Sequence, residues 1–429
     1  MEKILMITAC LSVVGLVMIT GPVSAQSDFV ANYDESNIPA YTLPDPLVCN
    51  DGTRVTNGKL WKTKRRPEIL KMFAEQMYGK TPTRTLKVEY ETLEEGAALN
   101  GLAHRKQVRI HFKSYGSELS VDVLLYIPAN QSGPAPAFLG INFSGNHTIH
   151  ADSKILLNTN WMRPNKTGIE NNRATEASRG NSASRWAVEE IIQRGYALAN
   201  VYCGDMDPDV DDGFKNGIHP LFYDRGQNKP DAKEWGSIGA WAWGLSRVLD
   251  FLETDDAVDA GRVAVIGHSR LGKTALWAGA QDERFAMVIS NDSGCGGAAL
   301  SRRAFGETVG RINTSFPHWF SDNFTRYNKN ETALPMDQHM LLALIAPRPL
   351  CVASAEEDKW ADPHGEFLSV LHADPVYQLL GAPAFPAKRM PQVNKPVRGT
   401  MNYHIRTGKH DVTDYDWEQY LNAADRLMK

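Results

Sequence analysis

A serine placed between a short apolar run and the start of a helix is the feature of this sequence most suited to chemistry. Val263 to Ile266 have the β-branched bias of a buried parallel strand. Gly267 permits a tight reversal, and Leu271 to Gly279 reads as the opening turns of a helix. The hydroxyl of Ser269 then stands clear of the backbone. The helix N-terminus behind it aims N–H groups at any oxyanion formed there. The spacing departs from G-x-S-x-G in one respect, because Leu271 holds the second glycine position and Gly272 follows one residue late. Pattern alone also fits a plain Gly/Ser turn.

A serine nucleophile needs a base, and the base needs an acid. On a strand-turn-helix elbow of the α/β-hydrolase type these arrive in the order Ser, acid, His, from loops at the carboxyl ends of strands. His410 follows the last expected strand in Gly408-Lys409-His410-Asp411, just before the closing helix, and is the candidate base. His404 competes from six residues earlier, but its place inside an apolar strand suits a buried, hydrogen-bonded histidine. Two carboxylates compete for the acid. Asp292 ends the strand after the elbow helix and Asp358 follows the strand after that; the later position is the usual one, which ranks Asp358 ahead. Arg270, directly after the serine, could add a guanidinium to the backbone donors around a tetrahedral oxyanion. It also suits a substrate with carboxyl-derived oxygens. Lys273 lies four residues past the serine, on the same helix face.

Gly267-x-Ser269-Arg270-x-Gly272-Lys273 resembles the G-x-S-R-x-G-K elbow of the glucuronoyl esterases, carbohydrate esterase family 15. The likeness continues through Asp292-Ser-Gly-Cys-Gly-Gly297, Glu307, Glu356-Glu-Asp-Lys-Trp-Ala-Asp-Pro363 and Gly408-Lys-His410, in order over most of the mature chain. Fungal members carry a disulfide-forming Cys before the serine. Here the residue is His268, so the chain is more similar to the bacterial branch. The resemblance implies an α/β-hydrolase fold and a uronate ester as substrate, with Lys273 and Glu307 on the sugar hydroxyls and Trp360 as an apolar wall. Many members place Glu where Asp292 stands, one methylene longer, and Asp358 matches the alternative acid of bacterial members. In plant wall the implied substrate is 4-O-methyl-glucuronate on xylan, esterified to lignin alcohols.

Several elements must position these residues. Pro67 to Tyr78 is amphipathic and helical in pattern. Thr85 to Leu93, Lys106 to Lys113 and Leu119 to Ile127 read as strands forming an antiparallel edge, and Ala137 to Phe143 as the next. Asp152 to Ser184 lacks apolar periodicity and reads as a surface loop inserted near the site, at about residues 150–184. A helix over 187–194 and a strand over Tyr196 to Tyr202 follow. They lead into the acidic run Asp205 to Asp212, whose spacing misses a calcium loop and which reads as solvated. Trp235 to Leu252 is a long apolar helix. Phe285 to Ser290, Leu350 to Ser354 and Val397 to Ile405 are strands, and Asp414 to Met428 closes as a helix. The alternation predicts an α/β fold, a three-layer sandwich around a doubly wound, mostly parallel sheet, in one domain over 26–429.

The 429 residues and 42% hydrophobic content support a large core. A formal net charge of −4 provides no footprint for nucleic acid. Residues 1–25 read as a signal peptide: Glu2-Lys3, an apolar run from Ile4 to Ile19, and small residues at Val23-Ser-Ala25. Export to the periplasm or medium, without a stable membrane anchor, is expected. Cys49, Cys203, Cys295 and Cys351 show no legible pairing, and no Cys/His cluster has zinc spacing. No metal or organic cofactor is implied, and a monomer is expected. The alternatives are an acetyl xylan esterase or other hydrolase of this fold, and a non-catalytic carbohydrate-binding relative.

Overall fold

The computed structural model describes residues 29–114, 116–164 and 167–429; the leader expectation lies outside them. Nine strands form one sheet: β1 (Lys87–Ala98), β2 (Ala103–Ser114), β3 (Ser117–Pro128), β4 (Ala135–Asn142), β5 (Ala197–Tyr202), β6 (Val258–His268), β7 (Met287–Asn291), β8 (Leu350–Ala355) and β9 (Met401–Arg406). Their spatial order is β1-β2-β3-β5-β4-β6-β7-β8-β9. The first three pair antiparallel, and β3 meets β5 antiparallel. From β5 to β9 every pair is parallel. The chain is therefore an α/β protein with a large, mostly parallel sheet and an antiparallel edge.

Strand alternation divides the core in two. On β4, Ala137, Leu139 and Ile141 face one side, where they join Trp241, Leu245 and Trp277 of the helices α3 (Ser237–Leu252) and α4 (Arg270–Gln281). Phe138 faces the other side and joins Ile191 of α2 (Val188–Gln193) and Trp417 and Leu421 of α6 (Asp414–Leu427). Burial on both faces is why these strands read as continuous apolar runs. Ahead of them, α1 (Arg66–Phe73) is flanked by two wider turns, Trp61–Arg65 and Ala74–Tyr78.

Three elements differ from expectation. Strand β6 begins at Val258, well before its apolar run: Val258 pairs with Ala135, the chain bulges where Arg262 Nε meets Asp259 Oδ2 at 2.6 Å, and the register resumes with Val263 opposite Ala137. The expected strand from Val397 is broken at Gly399: Val397 turns back to bridge Tyr403, and β9 starts at Met401. The helix α5 (Pro363–Leu379) had no legible amphipathic pattern, because its outer stripe carries Leu368, Leu371, Pro375 and Leu379 while its buried face carries Glu366, Ser369 and Asp374. Among the described residues, no helix is long and apolar enough to cross a membrane.

Candidate active site

Four adjacent parallel strands, β6 to β9, deliver one expected residue each from the loop at their carboxyl end: Ser269, Asp292, Asp358 and His410. Ser269 sits at φ 57°, ψ −129°, a conformation costly for a side chain with a Cβ. Local bonds hold it there. Its N–H donates to the Asn291 carbonyl at 2.9 Å, and its own carbonyl accepts from Gly272 and Lys273 at 2.9 and 3.2 Å. A Cβ on Gly267 would lie 1.9 Å from the Leu271 carbonyl oxygen, so only glycine fits before this turn. The displaced second glycine also has a reason. Leu271 points into the core, whereas a Cβ on Gly272 would sit 3.0 Å from that of Ser293, on the loop after β7.

The Nδ1 of His410 lies 2.6 Å from Asp358 Oδ2. Its ring centroid is 4.5 Å from that of His268, the residue before Ser269. Asp358 is buried while the His410 side chain is 40% exposed. His268 bonds Asn291 Oδ1 through Nδ1 at 2.6 Å. Burial, reinforced by the charges of His410 and Arg185, pushes the His268 imidazole well below the usual histidine range. It is an uncharged neighbour, and so does not repel a cation forming on His410. His404 lies apart, buried, with Nε2 2.8 Å from Asp416 Oδ1.

Asp292 is also close: its carboxylate, that of Asp358 and a His410 nitrogen fall within 4.8 Å of one another. It makes only long contacts, 3.5 Å to Arg406 Nη2 and 3.4 Å to the Asp411 N–H, and its buried Oδ1 has no hydrogen-bond partner among the described residues. Burial first, then the charges of Glu366 and Asp358, raise its carboxyl well above the ordinary range, with Arg406 offsetting part. Such a shift favours the protonated carboxyl. With Asp292 neutral and Nδ1 of His410 already on Asp358, the trio is a weak donor set for a cation.

Arg270 is fixed by Asp209, from the acidic run expected to be solvated. Its Nη2 lies 2.7 Å from Asp209 Oδ2, and its guanidinium sits over Phe143, 4.4 Å from the ring centroid. Asp209 Oδ1 accepts from His318 Nε2 at 3.0 Å and Trp319 Nε1 at 2.8 Å. Burial alone would raise the Asp209 carboxyl; the His318 bond, Arg270 and Arg163 outweigh it and hold it far below the usual range. The acidic run is thus corrected: Asp205, Asp207 and Asp209 are all buried, because each has partners from distant segments. Glu366 escaped notice too. Buried on α5, it accepts from Ser354 Oγ at 2.6 Å and the Gly294 N–H at 2.9 Å, and burial pushes it up to about 7.

Lys273 is buried on α4 and its Nζ donates to the Ser293 carbonyl. Burial lowers the lysine and raises Glu307, and the attraction between the two offsets part of each shift. Glu307 accepts a side-chain hydrogen bond from Trp360, and its N–H donates to the Trp360 carbonyl at 3.0 Å. Trp360 itself is 36% exposed, an aromatic face open to a ligand. All eight expected site residues therefore stand at the carboxyl edge of the sheet or on elements bonded to it. Among the described residues, Cys49, Cys203, Cys295 and Cys351 are buried and form no disulfide.

The family model for fungal glucuronyl esterases matches residues 215–381. Carbohydrate esterase MZ0003, from an unknown prokaryotic organism, is 54% identical over 398 residues, covering 92% of each chain. A promiscuous CE15 esterase from a marine bacterial metagenome superposes with a TM-score of 0.88 at 54% identity, over 93% of this chain and 100% of that one. A glucuronoyl esterase from Solibacter usitatus gives 0.87 at 50% identity, over 92% and 100%. With a whole-length relative this similar and the elbow geometry in place, the chain belongs to the glucuronoyl esterases of carbohydrate esterase family 15 and is a carboxylic ester hydrolase.

Proposed function

We propose that this enzyme is an exported serine esterase on an α/β-hydrolase fold. It hydrolyses esters of glucuronic or 4-O-methyl-glucuronic acid, including those joining glucuronoxylan to lignin alcohols. The observation that carries this reading is the 2.6 Å pairing of His410 with Asp358, on an imidazole whose centroid lies 4.5 Å from that of the residue preceding a strained serine.

Ser269 Oγ attacks the uronoyl carbonyl while His410 Nε2 takes its proton, and Asp358 holds the Nδ1–H and stabilises the imidazolium. The oxyanion faces the N–H groups opening α4 and the guanidinium of Arg270, which Asp209 fixes before substrate arrives. The ester C–O bond breaks, the alcohol leaves with the proton from His410, and the acyl group remains on Ser269. Water then gives its proton to His410 and attacks the acyl-enzyme, releasing the uronic acid and restoring the serine. Lys273 and Glu307 bond the ring hydroxyls, and Trp360 packs the sugar face. Asp292 stays protonated beside Asp358, so that the site does not hold two adjacent negative charges.

Activity on benzyl glucuronate and on an acetyl ester, measured for wild type and Ser269→Ala, tests the proposal. Uronate preference in wild type and its loss in the variant are expected. Acetyl preference would overturn the substrate assignment, and unchanged activity in the variant would overturn the nucleophile.

A further inference from the structure

We propose that a polar cavity beside the Arg270–Asp209 pair is a second carbohydrate site, holding a short neutral stretch of the polysaccharide that carries the uronate. This rests on the esterase reading above. The cavity measures ≈ 700 Å³, within the usual span of ligand sites. It forms where the inserted loop, at Asn158 to Trp161, meets the start of β3 and the segment after β5. The hydrolytic residues take no part in it.

Its walls have the chemistry of a sugar site. Asp205 Oδ1 accepts from Asn158 Nδ2 at 2.7 Å and Asn160 Nδ2 at 2.8 Å, which fixes two amides side by side at the rim. Trp161 supplies an aromatic wall, and the Tyr202 hydroxyl pins its carbonyl at 2.9 Å. Sugars are recognised by this combination of pre-set amide and carboxyl groups with an apolar ring face. The lining charges balance in sum: Arg173 and Asp212, of opposite sign, bond the Asn172 carbonyl and Asn216 Nδ2, and the other charged side chains are paired. Arg109 grips Asp122 with two bonds of 2.7 and 2.9 Å, and Glu118 bonds His111. Burial pushes the Asp205 carboxyl up to about 7, so it too carries little charge in mildly acidic conditions. A neutral polyhydroxylated ligand fits these walls better than an anion.

The cavity is one chain segment away from the reaction. Pro208 and Val210 line it and bracket Asp209, whose carboxylate holds Arg270. Trp161 lines it two residues before Arg163, whose Nη2 reaches the Asp209 carbonyl at 2.8 Å. A chain attached to a uronate at Ser269 can cross this ridge and settle its neutral sugars in the cavity. The hydrolytic residues are absent from its lining, so turnover of a small uronate ester is expected not to depend on it.

The test compares wild type with Trp161→Ala and with Thr159→Trp, the latter filling the cavity from an exposed position. Two substrates are assayed, benzyl glucuronate and the methyl ester of a glucuronate-substituted xylotetraose. The inference predicts that both variants lose about 5- to 20-fold in kcat/KM on the oligosaccharide ester, through KM, with benzyl glucuronate unchanged. Xylohexaose binding to the protein, followed by calorimetry, should weaken in parallel. Equal losses on both substrates, or none on the oligosaccharide, would overturn the site. Should wild type fail on benzyl glucuronate, the esterase reading falls alone, because xylohexaose binding still decides for or against the cavity.

Discussion

Replacing Asp358 with Asn isolates the contribution of the carboxylate to catalysis while keeping the shape of the side chain. At 2.6 Å from His410 Nδ1, an ionised carboxylate attracts an imidazolium by about 6 kcal/mol at an effective dielectric of 20. The His410 side chain is 40% exposed, so water screens this to roughly 3 kcal/mol. Because the imidazolium exists only as the serine attacks, the loss falls on the transition state, and kcat/KM should drop about 100-fold. Asp292→Asn is the matched control. Its carboxyl is held protonated by burial and by neighbouring acids, and an amide replaces a neutral acid with little change in charge. Activity within about threefold of wild type is expected. Initial rates on benzyl glucuronate, with circular dichroism to verify folding, measure both. A large loss in Asp292→Asn beside a near-normal Asp358→Asn would refute the assignment and transfer the orienting role to Asp292.

Other consequences concern support and stability. Asp209→Asn removes the charge that fixes Arg270, so kcat on benzyl glucuronate should fall about 10- to 100-fold with KM changed less, as steady-state kinetics would show. Gly267→Ala forces a Cβ to 1.9 Å from a carbonyl oxygen, and a loss of roughly 3 kcal/mol or more is expected in denaturant titration. Asp205 is raised from its ordinary 3.8 to about 7, chiefly by burial. Between those values the folded chain keeps a proton that the unfolded chain has released, so stability falls as pH rises, by up to ~1.4 kcal/mol per pH unit. Asp205→Asn should flatten that part of the profile of Tm against pH; an unaltered slope would contradict the burial argument.

What could be read from the sequence was local. The elbow was legible because strand, turn and helix start follow one another within a dozen residues, and His410 because it follows the last strand and precedes the closing helix. The order of Asp292 and Asp358 along the chain was clear, but their separate environments depend on Glu366 and Arg406, which approach from other elements. Asp209 was illegible for the same reason: its partners lie at 163, 270, 318 and 319, and without them an acidic run looks solvated. The outer stripe of α5 carries leucines and its buried face carries Glu366, Ser369 and Asp374, so the periodicity that reveals surface helices was missing. The lack of pattern over 152–184 concealed the pairing of Asn158 and Asn160 with Asp205.

The account depends on Ser269 and His410 acting as one unit, and a double-mutant cycle measures that directly. Turnover of benzyl glucuronate by Ser269→Ala, His410→Ala and the double variant should be depressed to the same level, ~10⁴-fold or more below wild type, because either loss alone disables the other group. Losses that multiply in the double variant would show two groups working independently, and would contradict the shared mechanism.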